Sequence, residues 1–379
     1  MVPARPLLLL ALLLAALATP ARPLHDFRAA DAALEALVQV HGLPGASLRL
    51  ANGQGEVHRV HLGDYDDSTR VGIASASKWL SALTLARLVE SGQLRWDSRV
   101  GEFMPEAPPA TQAITLVQLF SHTSGIDAGE ASCLSRRDTT LQRCALDILA
   151  MPLLYAPGTA FAYGGNSMQV AGAMAERATG RSWDALFLSE VVAPLGLRDT
   201  DWSAGLLREG YVANPNPRIG GGARSTLADY GRVLDMVLAG GDVAGQSFLD
   251  PASLATMAVD RAAGLPVLHS PEGTEGLGYG YGFGQWVEAR DAWGATTRVS
   301  SPGAFGFTPW VDWRQGSNGI VLVHGNGRAM RADLTALELA CIQALDPRRY
   351  LQATPVPVAA PAAASGEGRA ALDVAGRAH

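Results

Sequence analysis

Cysteine is scarce in this chain of 379 residues, which has only Cys133, Cys144 and Cys341. No cysteine and histidine spacing matches a zinc site and no acidic loop matches a calcium site, so neither a metal nor another cofactor is expected. Charge is sparse as well: 17% of residues are charged, 48% are hydrophobic, and the net charge of −6 includes no basic cluster. A nucleic-acid partner needs a positive footprint, so that class is excluded. The apolar content is too high for a disordered chain and suits a large core. The string G-x-S-x-G is missing: GIASA and GNSMQ each lack a required glycine, which argues against an α/β-hydrolase. Long apolar runs are missing too, apart from Leu7 to Ala18 behind Arg5, and Pro20, Arg22 and Pro23 end that run. A membrane span needs roughly 18 or more such residues, so the layout predicts a secretory signal over residues 1–21. The mature protein is then expected to be exported, periplasmic or secreted, without a membrane span.

In an oxidising compartment, Cys133 and Cys144 bracket LSRRDTTLQR, a polar loop short enough to close as a disulfide. Cys341 lies in ALELACIQAL, an apolar helical pattern, and reads as a buried free thiol.

The residues DFRAADAALEALVQVHG read as an amphipathic helix ended by Gly42, and ASLRLANGQGEVHRVHLG as a β-hairpin turning at NGQG. Residues 75–91 predict a helix that is apolar nearly all round and therefore buried. Roughly 95–265 is loops and helices. Strand patterns return in YGYGFGQWVEA, TRVSSPGAFGF, TPWVDW and NGIVLVHG, before a last helix, MRADLTALELACIQAL. Strands at both ends of the chain around a helical middle predict an α/β (α+β) fold. One antiparallel sheet is built from the two termini and flanked by helices, with a helical region inserted. The expected domain runs over 22–351, with its sheet part at about 22–75 and 265–351 and its helical part at about 76–264. Residues 352–379 are Ala/Pro/Gly-rich and read as a disordered tail.

The chemistry centres on SASK, Ser75 and Lys78. A serine hydroxyl is a poor nucleophile until a neighbouring base takes its proton. Three positions apart on a helix, the two side chains share a face. Burial would desolvate the lysine and lower its pKa, and a helix N-terminus offers N–H groups to an oxyanion. Alone, S-x-x-K is a short pattern that a capped helix also satisfies.

SASK followed by ITLVQLFSHTSGI, FAYGGNSMQVAGAMAERATG and SPGAFGFTPWVD resembles the serine β-lactamase and penicillin-binding-protein-like hydrolases. The resemblance runs from about Asp26 to Asp346 and is to the class C-like branch, which also contains esterases and D-amino-acid-specific peptidases. It implies Ser75 as acylated nucleophile, Lys78 as its proton partner and Tyr163 in proton transfer. It also implies an oxyanion hole of the Ser75 and Ala304 N–H groups. The second motif, Tyr-x-Asn, departs here: Gly165 stands where the amide belongs and Asn166 comes one residue late. The third motif appears as Ser301, Pro302 and Gly303, without the cation that helps hold a substrate carboxylate. Gly165, Asn166, Ser301 and Gly303 are therefore expected at the substrate pocket. His122, in FSHTSG, reads as a buried structural histidine. His324 is left out of the third motif, Asp229 reads as a helix N-terminal acid, and Trp310 as packing.

The resemblance implies an exported serine hydrolase cleaving a small ester, amide or peptide through an acyl-enzyme on Ser75. Esterase-like or D-aminoacyl peptidase-like activity ranks ahead of β-lactamase or D-alanyl-D-alanine carboxypeptidase activity. A rival from another class is a catalytically silent relative that binds cell-wall fragments or a protein.

Overall fold

The computed structural model describes residues 25–206, 210–271, 274 and 276–345. The expected signal (1–21) and tail (352–379) lie outside the described residues. Helix α1 (Arg28–His41) ends at Gly42, whose left-handed φ of 58° favours a residue without a Cβ. The hairpin follows as β1 (Gly45–Asn52) and β2 (Gly55–Gly63), and α2 (Ser77–Glu90), α3 (Asn166–Thr179) and α4 (Leu227–Leu238) come next. The chain then returns through β3 (Gly280–Tyr281), β4 (Trp286–Arg290), β5 (Thr296–Ser300), β6 (Thr308–Asp312) and β7 (Ser317–Leu322) to α5 (Gly327–Leu345).

These seven strands form one antiparallel sheet in the order β2-β1-β7-β6-β5-β4-β3, so β1 lies beside β7, the last strand among the described residues. Both ends of the chain build the sheet, as the strand patterns predict. Strand alternation sorts its side chains onto two faces. Leu48, Leu50, Trp310, Val321 and Val323 face α1 and α5, whose Leu34, Leu37, Met330 and Leu337 complete that layer. Val311, Ile320 and Leu322 face the opposite way, against α2, α4 and the helical middle. Burying each large side chain of α2, such as Trp79, Leu80 or Leu83, contributes about 1.5–3 kcal/mol. Truncating Leu83 to Ala would leave a cavity and cost about 2–5 kcal/mol.

Cys133 and Cys144 form a disulfide, and Cys341 is a buried free thiol. Trp310 is fully buried in the layer under α1 and α5. Besides the small hairpin of Asp242–Val243 and Gln246–Ser247, two short pairings that reach the site were not expected: Arg70–Gly72 runs antiparallel to Arg224–Thr226, and Phe161–Ala162 runs parallel to Val267–His269. Strands this short carry no readable alternation. No helix among the described residues is long and apolar enough to cross a membrane.

Candidate active site

The two unexpected pairings aim the site. Arg70–Gly72 delivers the chain to Ala74 and Ser75, and Phe161–Ala162 delivers it to Tyr163. Ala74 takes a left-handed φ of 44°, a conformation that costs a residue with a Cβ about 1–2 kcal/mol. The surrounding bonds hold it there: the Ser77 hydroxyl donates to Ala74 O at 2.6 Å and accepts from the Ala223 N–H at 3.0 Å. Ser75 therefore sits in a tight 3₁₀ turn (Ala74–Ala76), and the α-helix begins only at Ser77. The strained turn leaves Ser75 half-exposed where its neighbours are buried.

Lys78 is 4% exposed, and its Nζ lies 3.1 Å from Ser75 Oγ and 2.6 Å from Gly220 O. Burial, helped by the Arg218 cation and opposed by the Glu130 carboxylate, brings its ammonium down to about 7. It is also the only lysine among the chain's 30 lysine and arginine residues, a signal that the sequence itself carries.

Tyr163 is buried, with the Lys78 ammonium 4.8 Å from its ring centre. Burial pushes the phenol up to about 12, and a hydrogen bond with Ser75 offsets part of that rise. Its backbone is clamped on both sides: the Tyr163 N–H donates to His269 O at 2.9 Å, and His269 Nδ1 donates to Tyr163 O at 2.7 Å. Trp286 stacks on its ring at 5.2 Å.

A cavity of about 490 Å³ opens over these groups, lined by Ser75, Lys78, Tyr163, Gly165, Gly303 and Ala304 among others. A Cβ on Gly303 would fall 2.2 Å from Ile73 O, so only glycine permits this approach to the turn before Ser75. Among the described residues, neither the Ser75 N–H nor the Ala304 N–H has a hydrogen-bond acceptor, and both residues line the cavity.

Two expected pocket residues do not line it. Asn166 is buried, with its amide donating to Asp127 O at 3.0 Å and accepting from the Ala131 N–H at 3.0 Å. One residue past the motif position, its side chain faces the 127–131 segment and braces that wall. Ser301 is buried too, with its hydroxyl 2.9 Å from Gly284 O and 3.3 Å from Ser75 O. It ties β5 to the Ser75 turn from behind. Conversely, Arg218, Glu130, His269 and Arg331 line the cavity and were not anticipated. Arg331 comes from α5, so a guanidinium does face the cavity although the third motif lacks its cation.

His122 is buried and held well below the usual histidine range by desolvation and the nearby Lys78. Its Nδ1 accepts the Gly164 N–H at 3.4 Å, and Nε2 has no partner among the described residues. It supports the Tyr163 segment and does not line the cavity. Asp229 accepts from the Arg198 and Asp199 N–H groups and the Thr200 hydroxyl, fixing a loop behind α4. A serine–histidine–aspartate line exists elsewhere, at Ser47, His61 and Asp67, with contacts of 2.7 and 3.2 Å. Ser47 has no exposed surface, so no substrate can reach it. No group of three or more His, Cys, Asp or Glu among the described residues could hold a metal ion.

Known proteins share this layout. The chain is 29% identical over 178 residues to Penicillin-binding protein 4 of Amycolatopsis lactamdurans, covering 44% of this chain and 46% of that one. It is 32% identical over 151 residues to Esterase EstB of Burkholderia gladioli, covering 35% and 38%. The chain thus spans less than half the length of either relative. Among solved structures, a Bacteroides dorei protein classed with the beta-lactamases superposes with a TM-score of 0.72 at 30% identity, covering 82% of this chain and 98% of that one. A penicillin-binding protein homologue from Caulobacter crescentus gives 0.70 at 20% identity, covering 84% and 97%, a likeness of fold alone. The pattern of the Beta-lactamase family matches residues 30–343, a span that takes in the sheet from both chain ends, the Ser75 turn and Tyr163: the chain belongs to the beta-lactamase family.

Proposed function

We propose that this protein is an exported serine hydrolase that cleaves an ester or amide of a small carboxylic acid through an acyl-enzyme on Ser75. The contact of Lys78 Nζ with Ser75 Oγ at 3.1 Å, with the lysine buried and brought to about 7, carries the reading. A neutral amine donates one hydrogen to Gly220 O and keeps its lone pair for the Ser75 proton. Lys78 takes that proton as Oγ attacks the substrate carbonyl, and the N–H groups of Ser75 and Ala304 receive the tetrahedral oxyanion. Tyr163, a neutral phenol below about 12, hands its proton to the leaving alcohol or amine and regains one from Lys78. Water then enters by the reverse sequence, releasing the acid and restoring Ser75.

Esterase-like or D-aminoacyl peptidase-like activity ranks first, since Gly165 and Ser301 replace the amide and the cation of the two motifs. Arg331 at the cavity favours a second reading, a carboxylate-bearing peptide or β-lactam substrate. Export rests on the apolar run behind Arg5 and on a disulfide suited to an oxidising compartment.

The test is a fluorophosphonate probe on the wild type and on Ser75→Ala. Labelling of the wild type alone is the expected result. An unlabelled wild type, beside a labelled active control, would instead favour the silent binding relative. Turnover of a p-nitrophenyl ester against a chromogenic cephalosporin then orders the substrates; efficient cephalosporin turnover with little esterase activity reverses the ranking.

A further inference from the structure

Arg218 and Glu130 form an ion pair on the wall of the same cavity that holds Ser75 and Lys78. An exposed ion pair of long side chains ordinarily contributes little, because holding it in one geometry costs entropy. Here both backbones are fixed. The segment carrying Glu130 is braced by the buried amide of Asn166 and, three residues on, by the Cys133–Cys144 disulfide. Asn216 adds two bonds, its Nδ2 donating to Cys133 O at 2.8 Å and Arg136 O at 3.0 Å. On the other side, Arg218 O accepts from Trp202 Nε1 at 3.1 Å and from the Gly222 N–H at 2.7 Å. Two residues past Arg218, Gly220 O holds Lys78 Nζ. The guanidinium thus stands on the turn that positions the lysine.

We propose that Arg218 and Glu130 are a tuning pair whose opposed charges shift, in opposite directions, the pH at which the buried Lys78 becomes a base. The proposal rests on the reading of Lys78 given above. A fixed cation beside a buried amine disfavours its protonation and a fixed carboxylate favours it, so the two partners pull in opposite directions. Two further groups that can carry charge line the same cavity, the Arg331 guanidinium and the His269 imidazole, and both are left unchanged in the variants below. The groups packed closest to the lysine are uncharged near neutrality. Tyr163 stays a phenol below about 12, burial keeps His122 neutral, and Ser75 is a hydroxyl. The bridge contains no atom that reacts, which makes Arg218 and Glu130 positioning residues for charge.

The single lysine makes the test direct, because [6-13C]lysine incorporation yields one side-chain resonance whose shift follows the charge on Lys78. In the wild type the titration midpoint is expected near 7. Arg218→Gln should raise it, Glu130→Gln should lower it, and the double variant should fall between the two. Glu130→Asp, which keeps the charge, should restore the wild-type midpoint. Circular dichroism on each variant verifies the fold. Midpoints that stay put in both single variants, or move the same way in both as a loosened site would make them, overturn the proposal. A wild-type midpoint near the ordinary 10.5 would remove the base role of Lys78 itself, and so is told apart from failure of the pair.

Discussion

Lys78 reaches Ser75 Oγ at 3.1 Å while Gly220 O, at 2.6 Å, fixes the other side of the same nitrogen. The carbonyl can only accept, so it orders the amine with one hydrogen turned away from the serine. Because Lys78 titrates near 7, the fraction able to act as base rises steeply through neutrality. The kcat/KM for a neutral ester should climb about tenfold between pH 6 and pH 8 and then level off. A pH–rate profile measures this, and a flat response across that interval would remove Lys78 as the base.

The same burial has an energetic consequence. The lysine is lowered from 10.5 to about 7 in the folded state, so between those values the unfolded chain binds the proton more readily. Stability therefore rises with pH across that window, and the cost of burying the ammonium is fully present below about 7. That cost is on the order of 5 kcal/mol. Lys78→Met should abolish turnover yet raise the midpoint of thermal unfolding at pH 6, with the gain shrinking towards pH 10. Calorimetry at several pH values tests the trend; a variant less stable than wild type at pH 6 contradicts it.

Tyr163 is assigned proton delivery to the leaving group, a step distinct from activation of the serine. Its phenol, raised to about 12 by burial, does not ionise in the working range. Tyr163→Phe keeps the stacking on Trp286 and the backbone clamp by His269 while removing only the hydroxyl. The variant should lose about 10²–10⁴-fold in kcat, with the acid limb of the profile still near 7. The loss should be smaller for p-nitrophenyl esters, whose leaving group needs no proton, than for amides. Equal losses on both would place Tyr163 elsewhere in the cycle.

What the sequence disclosed follows the range of the interactions involved. Ser75 and Lys78 are three residues apart, so their meeting is local helix geometry and was legible. The sheet was legible because its strands, all but the short Gly280–Tyr281, run five to nine residues and carry either alternation, as in the first hairpin, or a run of β-branched and aromatic side chains, as in Thr308–Asp312 and Ser317–Leu322. Tyr163 came only through family resemblance, since it reaches Ser75 by way of a two-residue strand paired with Val267–His269. Asn166 and Ser301 were misplaced for a related reason. A one-residue offset turns the Asn166 amide into the 127–131 wall, and Ser301 faces Gly284 O behind the turn. Arg218 and Arg331 approach from a loop and from the last helix, and no spacing announces that. The lone lysine was the local signal available, and it pointed to Lys78 directly.

Arg331 bears on the substrate. Its side chain lines the cavity, where its fixed positive charge is available to an anionic substrate group. Guanidinium–carboxylate pairing is charge-assisted and geometrically specific, so its loss should fall on anionic substrates alone. Arg331→Ala should lower kcat/KM about 10–100-fold for an ester or peptide bearing a free carboxylate, corresponding to about 1.5–3 kcal/mol. A neutral ester of the same size should change by less than about threefold. Paired kinetics on the methyl ester and the free acid of one D-aminoacyl substrate separate the two. Equal losses would mean that Arg331 shapes the cavity wall without reading charge, and a carboxylate-bearing substrate would then lose its support.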